Sequence, residues 1–516
     1  MVVFVISVLP IRGGSLTTAQ LSYDGGDPHP TDPPTPLPFR YFTEVISLGR
    51  AGLRRSRSGI DLLTARDVRA MMVRMMTTTE LALQLKDDLR HRLRPMTGRD
   101  PDERDRVVTP LELLYDLVYV IAFAAAADEL AHAVIVGEVG PGLGAYAFAI
   151  FAITWAWLNF TWFASAYGND DALFRVATVV QMVGVVMLTF GLPVSFENAA
   201  HGESPNNGLL VVGYIIMRVP LVVLWLRAAR EDPAHRRTSI AYAVVIAIAQ
   251  VGWALTTLPG LSFGATVTFL IVLAAAEMIA PVVIERRFGR ATWNAGHIAE
   301  RFGLLTLITV GEVVAATVAA VGVLVSEQGW SVGAVVIAAS GLVIAAGLWW
   351  AYYLIPTRTI LTRWPERTFA WRYVHLPLFG AIAAVGAGLR VAADGVEHQE
   401  LTLLQIALAL AVPVGCVVVL VFLIWSVLLR SYDLTHIPLF ALTLVPLAAA
   451  IIVAVVTDPT APIDLEDDAD VAALVTVIAL VSLSCVVEVV GHEIVGYSHT
   501  LRAVERNLHR PSSDET

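Results

Sequence analysis

The chain has one lysine, Lys86, and two cysteines, Cys416 and Cys485. Arginine therefore carries nearly all the positive charge. Both cysteines fall inside apolar stretches and read as small core hydrophobes, so neither a disulfide framework nor a cysteine-based metal site is indicated. Charge of either sign is scarce. Only 16% of the 516 residues are charged, against about 25% in a soluble protein. The formal net charge of −10 misleads as an average, because acids crowd the tails and one set of loops while bases crowd the other set. A nucleic-acid partner is not indicated. The chain also lacks a P-loop, a dinucleotide fingerprint, an HExxH and a GxSxG, and nothing has convincing metal-ligand spacing. No feature argues for an enzyme, a cofactor or a bound metal.

What remains is apolar. Hydrophobic residues make up 56% of the chain. A hydrocarbon core about 30 Å thick needs about 20 apolar residues per helix. The expectation is an all-α polytopic membrane protein with about 12 transmembrane helices. The spans fall at 111–132, 143–165, 174–194, 208–228, 238–258, 262–284, 299–323, 331–354, 371–392, 402–425, 437–457 and 472–494. The connections 133–142, 195–207, 324–330, 393–401 and 458–471 contain no Lys or Arg. The alternate ones hold Arg227, Arg230, Arg236 and Arg237, then Arg286, Arg287 and Arg290, then Arg358, Arg363 and Arg367, then Arg430. The positive-inside rule puts both termini in the cytoplasm, and an even helix count requires the same. This describes a multi-pass plasma (inner) membrane protein whose partner is the lipid bilayer; the sequence gives no oligomeric state.

Residues 1–105 differ in kind, with a Pro-rich run at 27–38 and clustered arginines from Arg90 to Arg106. They read as a disordered, basic cytoplasmic tail. Met71, Met72, Met75 and Met76 offer an alternative start. Residues 498–516 read as a C-terminal tail. A faint repeat divides the membrane region into halves, 106–298 and 299–497. Trp155, Arg175, Glu112 and Glu277 in the first correspond to Trp349, Arg372, Glu300 and Glu488 in the second. Two parallel six-helix repeats would place a binding site near their interface.

Polar residues inside the spans are the candidate site. Thr109, Pro110 and Glu112 form a capping box at the start of the first helix, which accounts for Glu112 without function. Asp116 lies one turn deeper, ~6–10 Å into the apolar zone, and needs a partner, a proton or water. In the seventh helix Arg301 and Glu312 share a face, and Glu312 lies ~16 Å further in, near mid-depth. Gly311 beside it would admit a close backbone. Arg218, midway along the fourth helix, is at matching depth and is the candidate partner of Glu312. Glu277 and Glu488 are secondary acids, and Glu300 opens the seventh helix. Arg218, Arg301 and His375 are the candidate counter-charges, although a lone histidine is more often a hydrogen-bonded packing residue. Asn159 and Gln181 read as interhelical glue, and tryptophans near helix ends as interfacial anchors. Asp128, Glu129 and Arg390, near the outer surface, need only solvent.

Leu111-Glu112-Leu113-Leu114-Tyr115-Asp116-Leu117-Val118-Tyr119-Val120 resembles the ELFFDLVFV-type opening of the bacterial low-temperature-requirement A (LtrA) family. His297-Ile298-Ala299-Glu300-Arg301-Phe302-Gly303-Leu304, followed by Val310-Gly311-Glu312, is similar to its HxxERFGL…LGE segment. Trp349-Trp350-Ala351-Tyr352-Tyr353 and His375-Leu376-Pro377-Leu378 resemble its WWxYF and HLPL elements. Leu354 stands where members often carry an acid. The resemblance spans about 107–500 and implies an integral inner-membrane protein, with no molecular activity attached. Three functions fit the residues. A proton- or ion-coupled secondary transporter would use Asp116 and Glu312 on a small ion or solute. An ion channel would ring a pore with acids in an oligomer. A structural or sensor protein would hold the charges only as buried pairs.

Overall fold

The computed structural model describes residues 93–508, apart from 104–105, 203–206, 259–260, 331, 431–436 and 465. The Pro-rich run and the Met71–Met76 cluster lie outside the described residues. Among the described residues, twelve helices are long and apolar enough to cross a membrane, so the chain is an all-α multi-pass membrane protein. In order they are α1 (Pro110–Ile135), α2 (Val139–Tyr167), α3 (Ala172–Ala200), α4 (Gly208–Glu231), α5 (Arg236–Leu255), α6 (Phe263–Phe288), α7 (Ala295–Gln328), α8 (Val332–Tyr353), α9 (Thr368–His398), α10 (Leu403–Leu429), α11 (Ile437–Thr457) and α12 (Asp468–Gly491). A short helix, Thr357–Arg363, joins α8 to α9, and a π-turn, His492–Gly496, leads from α12 into α13 (Tyr497–Leu508). Several helices outrun their expected spans, α3 to Ala200 and α9 to His398. Hydropathy falls where polar residues enter, but backbone hydrogen bonding continues beyond that point.

The bundle buries its polar side chains among apolar ones and turns apolar side chains outward. On α1 the buried stripe is Glu112, Tyr115, Asp116 and Tyr119, followed by Ala122, Phe123, Ala126, Ala127 and Leu130, while Leu113, Leu114, Leu117 and Ile121 are exposed. The apolar outer face suits a lipid surround, which is as apolar as leucine. Helices α2 and α9 are the most enclosed and α6 the least. Trp155, Trp157 and Trp162 of α2 are accordingly core residues, 2% exposed or less, and not the interfacial anchors expected of them. Their place in the helix resembles an interface position, but the other helices surround α2 on every side. Trp349 and Trp350 of α8 are exposed. Glycines set the α3–α4 crossing: a Cβ on Gly184 would come 2.7 Å from the Gly213 carbonyl oxygen. At Gly311 a Cβ would meet nothing within 4 Å, so the close backbone expected there is absent.

The described residues 93–103 of the expected basic tail instead pack on the bundle, as does Arg106 just beyond it. Met96 is fully buried, and Arg106 donates to the Ala164 and Ser165 carbonyls at the end of α2. Asp171 fastens this segment. It caps α3 through the Phe174 N–H (2.9 Å), accepts from the Arg94 N–H (3.0 Å), and pairs with Arg227 of α4 (2.6 Å). Arg367 and Asn507 close the carbonyl end of α10 by donating to Leu428 and Leu429, which docks α13, the expected tail, against the bundle.

Burial alone pushes the Asp171 carboxyl up, but the Arg227 guanidinium and the Phe174 and Arg94 N–H groups outweigh it and hold Asp171 below the usual carboxylate range. A lowered folded-state pKa stabilises the protein above the unfolded value of about 3.9, and that contribution is lost as pH falls through the folded value. Acid titration of thermal unfolding should therefore show a loss below about pH 4 that is smaller in Asp171→Asn. Gly213→Val should cost about 1–3 kcal/mol or more by overpacking α3 on α4, read as a lower unfolding temperature in detergent, while Gly311→Ala should be tolerated.

Candidate functional site

Among the described residues, five clusters of charge within the bundle bear on the candidate site. The first joins α1, α2 and α7. Arg301 Nε donates to Asp116 Oδ2 (3.1 Å), Nη2 donates to Asp116 Oδ1, and Nη1 donates to Glu112 Oε1 (3.1 Å). Trp157 Nε1 donates to Asp116 Oδ1 (2.6 Å), and His297 Nε2 is 3.4 Å from Glu112. The expected capping box is present, with Glu112 Oε2 accepting from the Thr109 N–H and hydroxyl. Arg301 and Asp116 are fully enclosed. Asp116 thus has the partner its depth demanded, and the pair is closed to both sides.

The second cluster centres on Glu277 of α6. Its Oε2 accepts from Arg218 Nη2 (2.7 Å) and the Tyr214 hydroxyl (2.9 Å), both on α4, and its Oε1 accepts from Trp253 Nε1 of α5 (2.9 Å). Arg218 is therefore not the partner of Glu312. Equal depth does not fix which way a helix faces, and the Arg218 face of α4 turns toward α6. Glu312 pairs with Arg390 of α9, which also holds Asp128 of α1 at 2.6 Å. Asp128 is more than half exposed, so this chain of charges runs from an open position to a buried one. Asp128 and Arg390, expected to need only solvent, are partners.

One further acid escaped the sequence reading. Glu285 near the end of α6 accepts from Trp162 Nε1 (2.8 Å), the Tyr242 hydroxyl (2.9 Å) and Trp293 Nε1 (3.1 Å). Arg372 stacks 4.0 Å over Trp162. Glu285 precedes Arg286 and Arg287, so it reads as loop. The helical spacing Glu277, Pro281, Ile284, Glu285 (i, i+4, i+7, i+8) is the signal that could have found it.

Glu488 of α12 accepts from the Thr443 hydroxyl of α11 (2.9 Å) and lies 3.2 Å from His492 Nδ1. Two cavities of about 10 Å³ each, the space of about one water, open beside these acids. One is lined by Arg218 and Glu277, the other by Glu488; neither is lined by Asp116 or Glu312.

The other candidates are placed less centrally. Glu300 is partly exposed, 3.4 Å from Arg358. His375 bonds the Tyr352 hydroxyl and the Trp371 carbonyl and stacks among rings; these are the contacts of a hydrogen-bonded packing residue and not of a counter-charge, because the face of α9 on which it lies meets aromatic side chains. Asn159 and Gln181 donate to carbonyls of their own helices, Trp155 and Ala177, so they are not interhelical glue; each reaches the carbonyl four residues back. Among the described residues no group of three or more His, Cys, Asp or Glu could hold a metal ion.

Removing one partner of a buried pair leaves an uncompensated charge, a cost of about 3–5 kcal/mol. Arg301→Gln should lower stability by that order in a detergent unfolding assay. Adding Asp116→Asn to it should recover part of the loss; a fully additive double variant would mean the two groups do not interact.

The family model described as bacterial low temperature requirement A protein (LtrA) matches residues 107–481. A protein described only as uncharacterized, from Rhizobium meliloti (strain 1021), is 24% identical over 292 residues, covering 54% of this chain and 67% of that one. No solved structure matches. The matched region takes in both sides of the Arg301 network, the acids of α1 and the arginine of α7, and on that match the chain belongs to the bacterial low temperature requirement A (LtrA) family.

Proposed function

We propose that this chain is a proton-coupled secondary transporter of the bacterial inner membrane, with both termini cytoplasmic and two parallel six-helix halves, 106–298 and 299–497. The order of neighbours supports the halves. α1 packs on α2 and α3, α3 on α4, α4 on α5 and α5 on α6; α7 packs on α8 and α9, α9 on α10, α10 on α11 and α11 on α12. The two acid-lined cavities take corresponding positions, between α2, α4, α5 and α6 in one half and between α8, α10 and α12 in the other.

The observation that carries the proton reading is Glu488. It is a buried carboxylate on the wall of a cavity, and its basic neighbour is an imidazole. Histidine is the side chain whose unperturbed titration falls near neutral pH. A carboxylate held by a hydroxyl and an imidazole can gain or lose a proton without stranding a guanidinium. The Asp116–Arg301 pair lacks that freedom, and in this reading it is the fixed frame.

The test is reconstitution in proteoliposomes that enclose a pH-sensitive dye. An imposed ion gradient should change internal pH, and Glu488→Gln should reduce the rate at least tenfold while the variant inserts and unfolds normally. A rate unchanged in that variant removes Glu488 from the mechanism and the reading with it.

A further inference from the structure

The first-half cavity has a wall group that its surroundings do not satisfy. Arg218 is 1% exposed. Its Nη2 serves Glu277 and the Tyr214 hydroxyl. Among the described residues its Nε and Nη1 have no acceptor, which leaves three of the five guanidinium N–H groups unused. The other side chains of the cavity that Arg218 lines leave them open: Trp155, Val245, Ile246, Ala280, Pro281 and Ile284 carry no side-chain acceptor, the Tyr242 hydroxyl is committed to Glu285, and Asn159, whose Nδ2 donates to the Trp155 carbonyl, makes no bond to Arg218 through its amide oxygen.

We propose that this cavity binds a small monovalent anion of halide size on Nε and Nη1 of Arg218, together with a proton on Glu277. This rests on the proton-coupled reading, adds Glu277 to Glu488 as a second proton site, one where the anion compensates the guanidinium that protonation would otherwise strand, and names the substrate class. With Glu277 ionised, the guanidinium is already neutralised, and a second anion in so enclosed a place is repelled. With Glu277 protonated, the carboxyl still bonds Trp253 and Tyr214, but Arg218 is left as an uncompensated charge in a low-dielectric site. An anion then replaces the lost carboxylate charge, so anion and proton enter together. The groups facing Arg218 allow no other acid to do this. α6 brings Glu277, α5 brings Tyr242, α2 brings Trp155 and Asn159, α4 itself brings Tyr214, and Tyr115 and Tyr119 of α1 lie within electrostatic reach. Glu277 is the carboxylic acid among them. The cavity admits about one water-sized occupant, which suits fluoride or chloride and excludes sulfate or an organic acid.

The experiment uses the purified full chain in detergent, with sodium fluoride or chloride compared against sodium gluconate at equal ionic strength, at mildly acidic and at neutral pH. Halide should raise the unfolding temperature by about 2 °C or more over gluconate. Its apparent affinity should tighten toward about tenfold per pH unit as pH falls. Arg218→Lys, which keeps the charge and removes the guanidinium geometry, should abolish the effect, and Glu277→Gln should keep the halide effect and lose its pH dependence. The wild-type tryptophan emission gives a readout independent of the variants, because Trp155 lines the cavity and Trp253 bonds Glu277. Absence of any halide effect on wild-type unfolding and emission, or an effect that survives Arg218→Lys, overturns the site; equal affinity at both pH values overturns the linkage. Halide binding without proton flux upholds the site and removes the carrier, whereas proton flux with no halide effect on unfolding or emission overturns the site and leaves the carrier.

Discussion

Arg301 is the interaction on which the bundle depends. One guanidinium on α7 holds two carboxylates one turn apart on α1, and an indole from α2 completes the set. In lipid, apolar side chains gain little by leaving the bilayer for each other, so helices associate through close packing and satisfied polar groups. A closed, multiply bonded pair fixes both the rotation and the depth of α1 against α7. It joins the first expected half to the second. Its full enclosure suits a frame, whereas the acids that line cavities suit movement of charge.

Helix α6 shows the opposite condition. It is the least enclosed span, yet it carries Glu277 and Glu285, each with three donors, all from neighbouring helices except Trp293, which lies in the connection to α7. Its apolar side chains, Ile271, Val272, Ile279 and Val283 among them, are exposed. Polar contacts therefore do for α6 what apolar packing and a glycine-lined crossing do for α3 and α4. Both glutamates hold the helix through hydrogen bonds, so the proposed proton on Glu277 would act directly on one of its fastenings.

Much of the fold was legible in the sequence because lipid imposes a length and a polarity on every span. Twelve apolar runs, the Thr109 capping box and the need of Asp116 for a partner all follow from local residues. Partner choice was not legible. Arg218 and Glu312 match in depth, but the direction each faces depends on tertiary packing, and Arg218 turned to Glu277 while Glu312 found Arg390. Glu285 was hidden by the arginines that follow it. The role of Trp162 could not be read either, because an indole at a helix end looks the same whether it meets headgroups or a buried carboxylate.

The exposed flank of α6 makes the bilayer a structural partner of that helix. Hydrocarbon keeps water away from the two glutamate clusters, and without water competing for the same donors those bonds keep their full strength. Thinner or wetter surroundings weaken the clasp from outside without altering a single residue. The character of the surrounding lipid thereby becomes a control on how firmly this helix closes over the arginine behind it.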